Sequence, residues 1–355
     1  MPATIVVGGQ YGSEGKGKVT ALLARRAPSP WLVRCGGPNS GHTVTLAGQD
    51  VVLRQVPSSI EPHRGMFCLS AGCVVDVPIL RHELDILGIE RDRIVVDPRA
   101  VLVTDEDREA ERRGLIDIAS TCSGTGAALM NRMSRKSTVA LAGGLDELKD
   151  RCRVESVASL LHRALATDED VIIEGTQGFE LSLLHGPDYP FVTARDTTAS
   201  GFASEVGLSP RDVHNVVMVV RTFPIRVGGP SGPLPNEITW DEVRSLSGAP
   251  HTIPEVTSVT KRLRRVAHFD MDSVRTACRY NRPTSLAIMG LDRLDYANTG
   301  VTSPSELTNA AGSFIRRVVA SCATPVELVG TGFPTADVAL VNELAPLKQD
   351  RHAWD

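Results

Sequence analysis

Thr4-Ile5-Val6-Val7, followed by Gly8-Gly9-Gln10-Tyr11-Gly12-Ser13-Glu14-Gly15-Lys16-Gly17-Lys18, is the stretch on which the fold turns. The first four residues read as a buried strand, and the run from Lys16 to Arg26 reads as a helix. Glycines between them allow backbone N–H groups to converge on an anion, and the helix N-terminus adds a favourable dipole. Strand, glycine loop and helix in this order predict an α/β fold with a phosphate-binding loop. Gly12 to Lys18 satisfies GxxxxGK, yet Val19 stands where an ordinary P-loop needs the Ser or Thr that meets magnesium. The loop is therefore P-loop-like.

Working outward, short apolar runs recur at Leu32 to Arg34, Val171 to Ile173, Val216 to Val220, Ser285 to Ile288 and Val326 to Val329. Helix-like stretches lie between several of them, at Pro78 to Leu87, Leu145 to Thr167 and Ser273 to Tyr280. That alternation predicts a mostly parallel central sheet flanked by helices. No Pro/Ser-rich linker and no fixed-period repeat divides the chain, so residues 1–355 read as one domain. Ala100 to Ser137 breaks the pattern and reads as a helical insertion, around 100–137, that carries a flexible loop. Gly228 to Arg265 reads as a second irregular stretch and contains the basic cluster Lys261-Arg262-Leu263-Arg264-Arg265. Long loops inside a compact domain are more often functional than idle.

Composition narrows the classes. The chain has 355 residues, 42% of them hydrophobic and 23% charged, which is ordinary globular usage and argues against a disordered or fibrous protein. A net charge of −4 with only 4% aromatic residues gives no electrostatic or stacking footprint for nucleic acid. Seven cysteines form no CxxC and no zinc spacing, so free thiols in a reducing cytoplasm are expected. The longest apolar runs are about five residues, which argues against membrane spanning.

A second glycine loop follows the second strand: Arg34-Cys35-Gly36-Gly37-Pro38-Asn39-Ser40-Gly41-His42-Thr43. An amide, a bend and an imidazole within four residues could bind a polar ring and donate a proton to it. Ligands of open α/β sheets bind at the carboxyl ends of strands, where both loops fall. Together these loops, with Glu174-Gly175-Thr176-Gln177-Gly178, Tyr189-Pro190-Phe191-Val192-Thr193 and the Thr260 to Arg265 cluster, resemble the adenylosuccinate synthetase family. The matches span most of the chain.

The resemblance implies a homodimeric carbon-nitrogen ligase that uses a nucleoside triphosphate and Mg2+ to phosphorylate the 6-oxygen of a purine nucleotide, after which L-aspartate displaces the phosphate. By motif position, Lys16 would stabilise the transferring phosphoryl group and His42 would act as general acid on the 6-oxygen. Asn39, Thr121, Gln177, Thr193 and Arg262 would hold the substrate nucleotide, and Arg135 would reach the partner's phosphate across the dimer. Thr260, Arg262 and Arg264 would form the aspartate loop, where guanidinium forks suit two carboxylates. The triphosphate would meet Gly12, Gly15, Lys16, Gly17, Lys18, Gly41, His42, Thr43, Arg264, Asp292 and the turn Gly330-Thr331-Gly332. Gly41 would offer its carbonyl to magnesium.

Two positions depart from the family pattern. Ser13 stands where the family carries an aspartate that binds magnesium and takes the N1 proton of inosinate. A neutral hydroxyl does neither well, but it leaves room beside positions 1 and 2 of the purine and can accept from a 2-amino group. The change in an otherwise complete site resembles the bacteriophage branch, the 2-aminoadenylosuccinate synthetases that act on dGMP. Ser13 would then orient the purine edge and meet the metal only through its hydroxyl. The second departure is Gly290, where the family segment that grips the guanine of GTP carries lysine, so ATP or dATP becomes the expected donor. The expected function is a ligase joining dGMP and L-aspartate with ATP or dATP. The competing readings are an ordinary inosinate-using, GTP-driven adenylosuccinate synthetase, a non-catalytic nucleotide-binding protein, and a different P-loop NTPase.

Overall fold

Ala3–Gly8 pairs in parallel with a strand on each side, and the rest of the sheet grows from that centre. The structure, a computed structural model, describes residues 3–114, 116–258 and 261–341. Among these a ten-stranded sheet runs in the order Val338–Leu340, Val326–Gly330, Ser285–Met289, Val213–Arg221, Ala3–Gly8, Val171–Glu174, Trp31–Arg34, Met66–Leu69, Ile94–Val96, Arg153–Val154. Only the edge pair of Val326–Gly330 with Val338–Leu340 is antiparallel. This is the mostly parallel α/β sheet expected from the sequence.

Continuous apolar runs make these strands because both faces of the sheet are covered. Ile5 and Val7 enter one hydrophobic cluster and Val6 the other; Met218 and Val220 face the first, Val217 and Val219 the second. The alternation is the two-residue period of a strand, with apolar cover on each side. Truncating a fully buried side chain such as Ile5 to alanine costs about 2–5 kcal/mol. The helix Lys16–Arg26 begins after Gly15, whose φ of 107° is left-handed, and no side chain caps it. Its first N–H groups are thus left for a ligand, while Arg25 and Arg26 complement the dipole at the other end.

The stretch expected as a single helix from Leu145 to Thr167 is broken. Asp146–Lys149 is one helical turn, Arg153–Val154 is the edge strand, and Val157–Ala166 is a new helix whose N-cap, Ser156, accepts from the Ser159 N–H. The cap competes with helix continuation, and Val154 finds a pairing partner in Val96. Gly228 to Arg265 is also more ordered than expected. It holds the strand Glu237–Ile238, the helix Trp240–Ser247 with a full capping box, and the strand Arg264–Ala267, which pairs antiparallel with Ile225–Val227 and Glu237–Ile238. Between 100 and 137 lie the helices Asp105–Gly114 and Thr125–Met133. No helix among the described residues is long and apolar enough to cross a membrane. All seven cysteines are unbridged and six are buried.

Candidate active site

Glu14 organises the first glycine loop. Its Oε1 accepts from the backbone N–H groups of Gln10 and Gly12 at 3.1 and 2.8 Å, and its Oε2 receives Lys16 Nζ at 2.5 Å. Both side chains are buried, so the cation sits at the helix entrance without the freedom of a surface lysine. Lys18, two residues on, turns toward the far edge of the sheet and donates to the carbonyls of Gly332 and Asp337 at 2.9 and 2.8 Å. Burial pulls its pKa down to about 8, against the opposing charges of Asp337 and Asp292. Lys16 and Lys18 thus tie the phosphate loop to itself and to the Gly330–Gly332 turn.

Behind the loop, His42 is held by two buried charges. Glu174, the last residue of its strand, has Oε1 2.8 Å from His42 Nδ1, while its Oε2 accepts from Arg34 Nη1 at 2.8 Å and from the Ser58 N–H at 3.1 Å. Arg34 Nη1 also stands 2.7 Å from His42 Nδ1, and its Nη2 donates to the Ser40 carbonyl at 2.9 Å. Burial first, and the Arg34 charge second, lower the imidazole pKa to about 4, so the ring is neutral at pH 7. Burial pushes Glu174 up, but Arg34 and His42 outweigh it and hold its carboxyl far below the usual range. A neutral ring that accepts from Arg34 at Nδ1 carries its proton on Nε2; one that donates to Glu174 carries it on Nδ1.

Close approaches bring the other loops in. A Cβ on Gly17 would lie 2.8 Å from both His42 Cβ and Ser58 Oγ, so only glycine lets the helix entrance touch the histidine. One on Gly12 would lie 3.4 Å from Gln177 Cα, and one on Gly37 2.7 Å from Thr125 Cγ2. The phosphate loop, residues 36–43, residues 174–178 and the start of the helix Thr125–Met133 therefore meet. Met289 packs against both Gly15 and Gly330, which sets Gly290 and the turn Gly330-Thr331-Gly332 beside the same loop. Asn39 Oδ1 and Gln177 Oε1 are buried without a hydrogen-bond partner, the condition of polar groups that await a ligand.

The remaining expected residues stand further out. Ser13 is exposed, with φ 58°, and its carbonyl accepts from Arg221 Nη1 at 3.2 Å. Thr121 Oγ1 donates to Ser123 Oγ at 3.2 Å, and the Thr193 N–H to the Leu181 carbonyl at 2.8 Å. Thr43 pairs with Val52 in the hairpin that follows Gly41. Asp292 is half-buried, with its pKa raised by burial. Arg135 is exposed with φ 55°. Arg262 and Arg264 lie on a segment that pairs back onto residues 255–257, with Arg262 exposed and Arg264 half-buried, its pKa lowered to about 10 by burial. Thr260 lies outside the described residues.

The adenylosuccinate synthetase family profile matches residues 5–142 and 140–300. The adenylosuccinate synthetase of Methanocaldococcus jannaschii is 37% identical over 338 residues, covering 94% of this chain and 94% of the relative. The chain belongs to the adenylosuccinate synthetase family. The enzyme is therefore a carbon-nitrogen ligase of a family that uses nucleoside triphosphates as co-substrates. The Archaeoglobus fulgidus adenylosuccinate synthetase is similar at 37% identity over 94% of this chain and 96% of its own. A fully ligated adenylosuccinate synthetase from Plasmodium falciparum shares the fold, with TM-score 0.84 at 20% identity, over 96% of this chain and 100% of that one. The succinoaminodeoxyadenylate synthetase of cyanophage S-2L, solved bound to dGMP and dATP as an energy donor, has TM-score 0.78 at 27% identity, over 96% and 95% of the two chains.

Among the residues of this synthetase-family site that were not singled out as functional by the sequence are Arg34 and Glu174. Each ends a buried strand, and an ionisable residue closing an apolar run beside a glycine loop was the signal available for both.

Proposed function

We propose that the chain condenses dGMP with L-aspartate, driven by ATP or dATP, and so belongs to the branch of its family that makes N6-succino-2-amino-2′-deoxyadenylate for 2-aminoadenine nucleotides. The observation that carries this reading is Ser13. It is exposed beside the glycine loop, while Lys16, Asn39, His42, Gln177, Thr193, Arg262 and Arg264 are all retained. A carboxylate there would crowd a 2-amino group; a hydroxyl makes room and accepts from it. The similarity to the cyanophage S-2L enzyme, which was solved with dGMP bound, supports the same choice.

In this mechanism the γ-phosphoryl group leaves ATP as ADP forms and is taken up by the 6-oxygen of dGMP, while the N1 proton of the purine passes to solvent water, because Ser13 carries no carboxylate to take it. Lys16 and the uncapped N–H groups of the helix Lys16–Arg26 hold the charge that builds on the moving group. His42, as a neutral ring accepting from Arg34, offers Nε2–H to the oxygen that is being phosphorylated. The amine of aspartate, with its carboxylates on Thr260, Arg262 and Arg264, then attacks C6, and inorganic phosphate leaves. Asn39, Thr121, Gln177 and Thr193 hold the nucleotide, and Arg135 reaches the phosphate bound by a second copy in a homodimer. Residues 1–355 act as one catalytic domain.

Magnesium fits as an ion carried by the triphosphate. Among the described residues no group of three or more His, Cys, Asp or Glu could hold a metal. The expected ligands, the Gly41 carbonyl and the Ser13 hydroxyl, are hard oxygen donors suited to Mg2+ whose other ligands are phosphates and water. When bound, the ion supplies charge neutralisation for the phosphates. Gly290 in place of the family's lysine removes an arm that would grip guanine, which favours ATP or dATP, bound along Gly12, Gly15, Gly17, Lys18, Thr43, Asp292 and Gly330-Thr331-Gly332.

The second reading, an inosinate-using adenylosuccinate synthetase, is favoured by the 37% identity to archaeal enzymes of that name. Phosphate release with aspartate and Mg2+, comparing dGMP, GMP and IMP as acceptors and ATP, dATP and GTP as donors, separates the two. Turnover of guanylates with a succinylated 2-aminoadenine product supports the proposal. Turnover confined to IMP overturns it in favour of the second reading.

A further inference from the structure

Arg221 ends the strand Val213–Arg221 and is buried, yet the chemistry proposed above does not use it. Its backbone is clipped at both ends by the Gln10 amide: the Arg221 N–H donates to Gln10 Oε1 at 2.9 Å, and Gln10 Nε2 donates to the Arg221 carbonyl at 3.2 Å. The guanidinium then spans a gap. Nη1 donates to the Ser13 carbonyl at 3.2 Å and to Glu255 Oε2 at 3.1 Å, and Nη2 donates to Glu255 Oε1 at 2.5 Å.

Glu255 is the foot of the turn that presents Arg262 and Arg264. Its carbonyl accepts from the Arg264 N–H at 2.8 Å, Val256 bridges Leu263 antiparallel, and the Thr257 N–H donates to the Arg262 carbonyl at 2.8 Å. The two legs are therefore zipped residue against residue, and what fixes Glu255 fixes the register of both arginines. The fork of a buried arginine against a carboxylate defines distance and angle together, which a lysine point charge does not.

We infer that Arg221 is a positioning residue that locks the turn 255–264 to the backbone of Ser13, so that the aspartate-binding arginines and the acceptor nucleotide are held in one frame. It touches neither substrate; it acts through Glu255 and Ser13. The inference rests on the reading of Arg262 and Arg264 as aspartate ligands.

The test is a set of variants, Arg221→Met, Arg221→Lys, Glu255→Gln and the double variant, assayed with whichever acceptor the unaltered enzyme turns over and followed by hydrogen–deuterium exchange. Arg221→Met is expected to raise the KM for aspartate about tenfold or more while that for the triphosphate stays within about threefold. The double variant should be no worse than Arg221→Met alone, because the second change removes a bond already broken. Arg221→Lys, which keeps charge without the fork, should fall between. Exchange should rise in residues 255–264 and 10–15 together. Equal losses for all substrates, additive effects in the double variant, or exchange unchanged in 255–264 would overturn the inference. An unaltered enzyme inactive with every acceptor overturns the functional reading instead, and the exchange data still decide the anchoring. If Arg221→Met fails to fold, Glu255→Gln carries the same comparison.

Discussion

The inner and outer halves of the site are built on opposite principles. Inside, Lys16 is paired with Glu14, and Arg34, Glu174 and His42 form a closed set, all of them nine-tenths or more buried. Outside, Ser13 and Arg262 are exposed, and the backbone turns sharply at residue 13. The inner half has paid its desolvation on folding, so it is already arranged when a phosphate arrives. The outer half keeps its groups hydrated until a ligand collects them. Under the proposed function, chemistry and choice of substrate are thereby separated in space.

The sharpest way to break this comparison is to remove one inner charge. Arg34→Met leaves Glu174 buried with its cation gone and should cost about 3–5 kcal/mol in urea unfolding; a loss below about 1 kcal/mol would mean that water already reaches the set. Lys16→Gln should lower kcat about 10²–10³-fold, with the far-ultraviolet spectrum unchanged. Ser13→Asp, in the outer half, should shift the ratio of dGMP to IMP turnover about tenfold toward IMP and leave the melting temperature nearly unmoved. Lys18 sharpens the boundary between the halves. Its pKa is lowered to about 8, so it is charged below that pH and neutral above it. kcat/KM for the triphosphate should therefore decline as pH rises from about 7 to 9, and Lys18→Arg should remove the decline. Arg262→Ala is expected to change stability by no more than about 0.5 kcal/mol while raising the KM for aspartate.

Much of this was legible because the central strands are buried on both faces. Thr4 to Val7, Val216 to Val220 and Ser285 to Ile288 carry largely apolar runs, and glycines mark where the first and the last of these give way to a loop. The peripheral strands Met66–Leu69, Ile94–Val96 and Val338–Leu340 are only three or four residues long, so periodicity does not distinguish them from connecting chain. Leu145 to Thr167 shows the reverse error: its residues favour a helix, and a cap at Ser156 together with pairing at Val154 overrides them. The family motifs pointed to His42 and Lys16. They did not reveal that Arg34 comes back from the end of its strand to lie against the histidine eight residues later, because that contact depends on how the 36–41 loop folds. The Arg221 to Glu255 bridge, 34 residues apart, left no local signal at all.

Gly290 has φ 81°, and a Cβ there would meet Thr222 Oγ1 at 3.0 Å, while Thr222 already donates to the Gly290 carbonyl. Any side chain introduced at this position must bear a left-handed backbone, at about 1–2 kcal/mol, or force the turn to rearrange. Introducing a lysine here is thus uphill from the first step. The turn acts as a ratchet against side chains: one at residue 290 needs a second, compensating change near Thr222 before it can be tolerated.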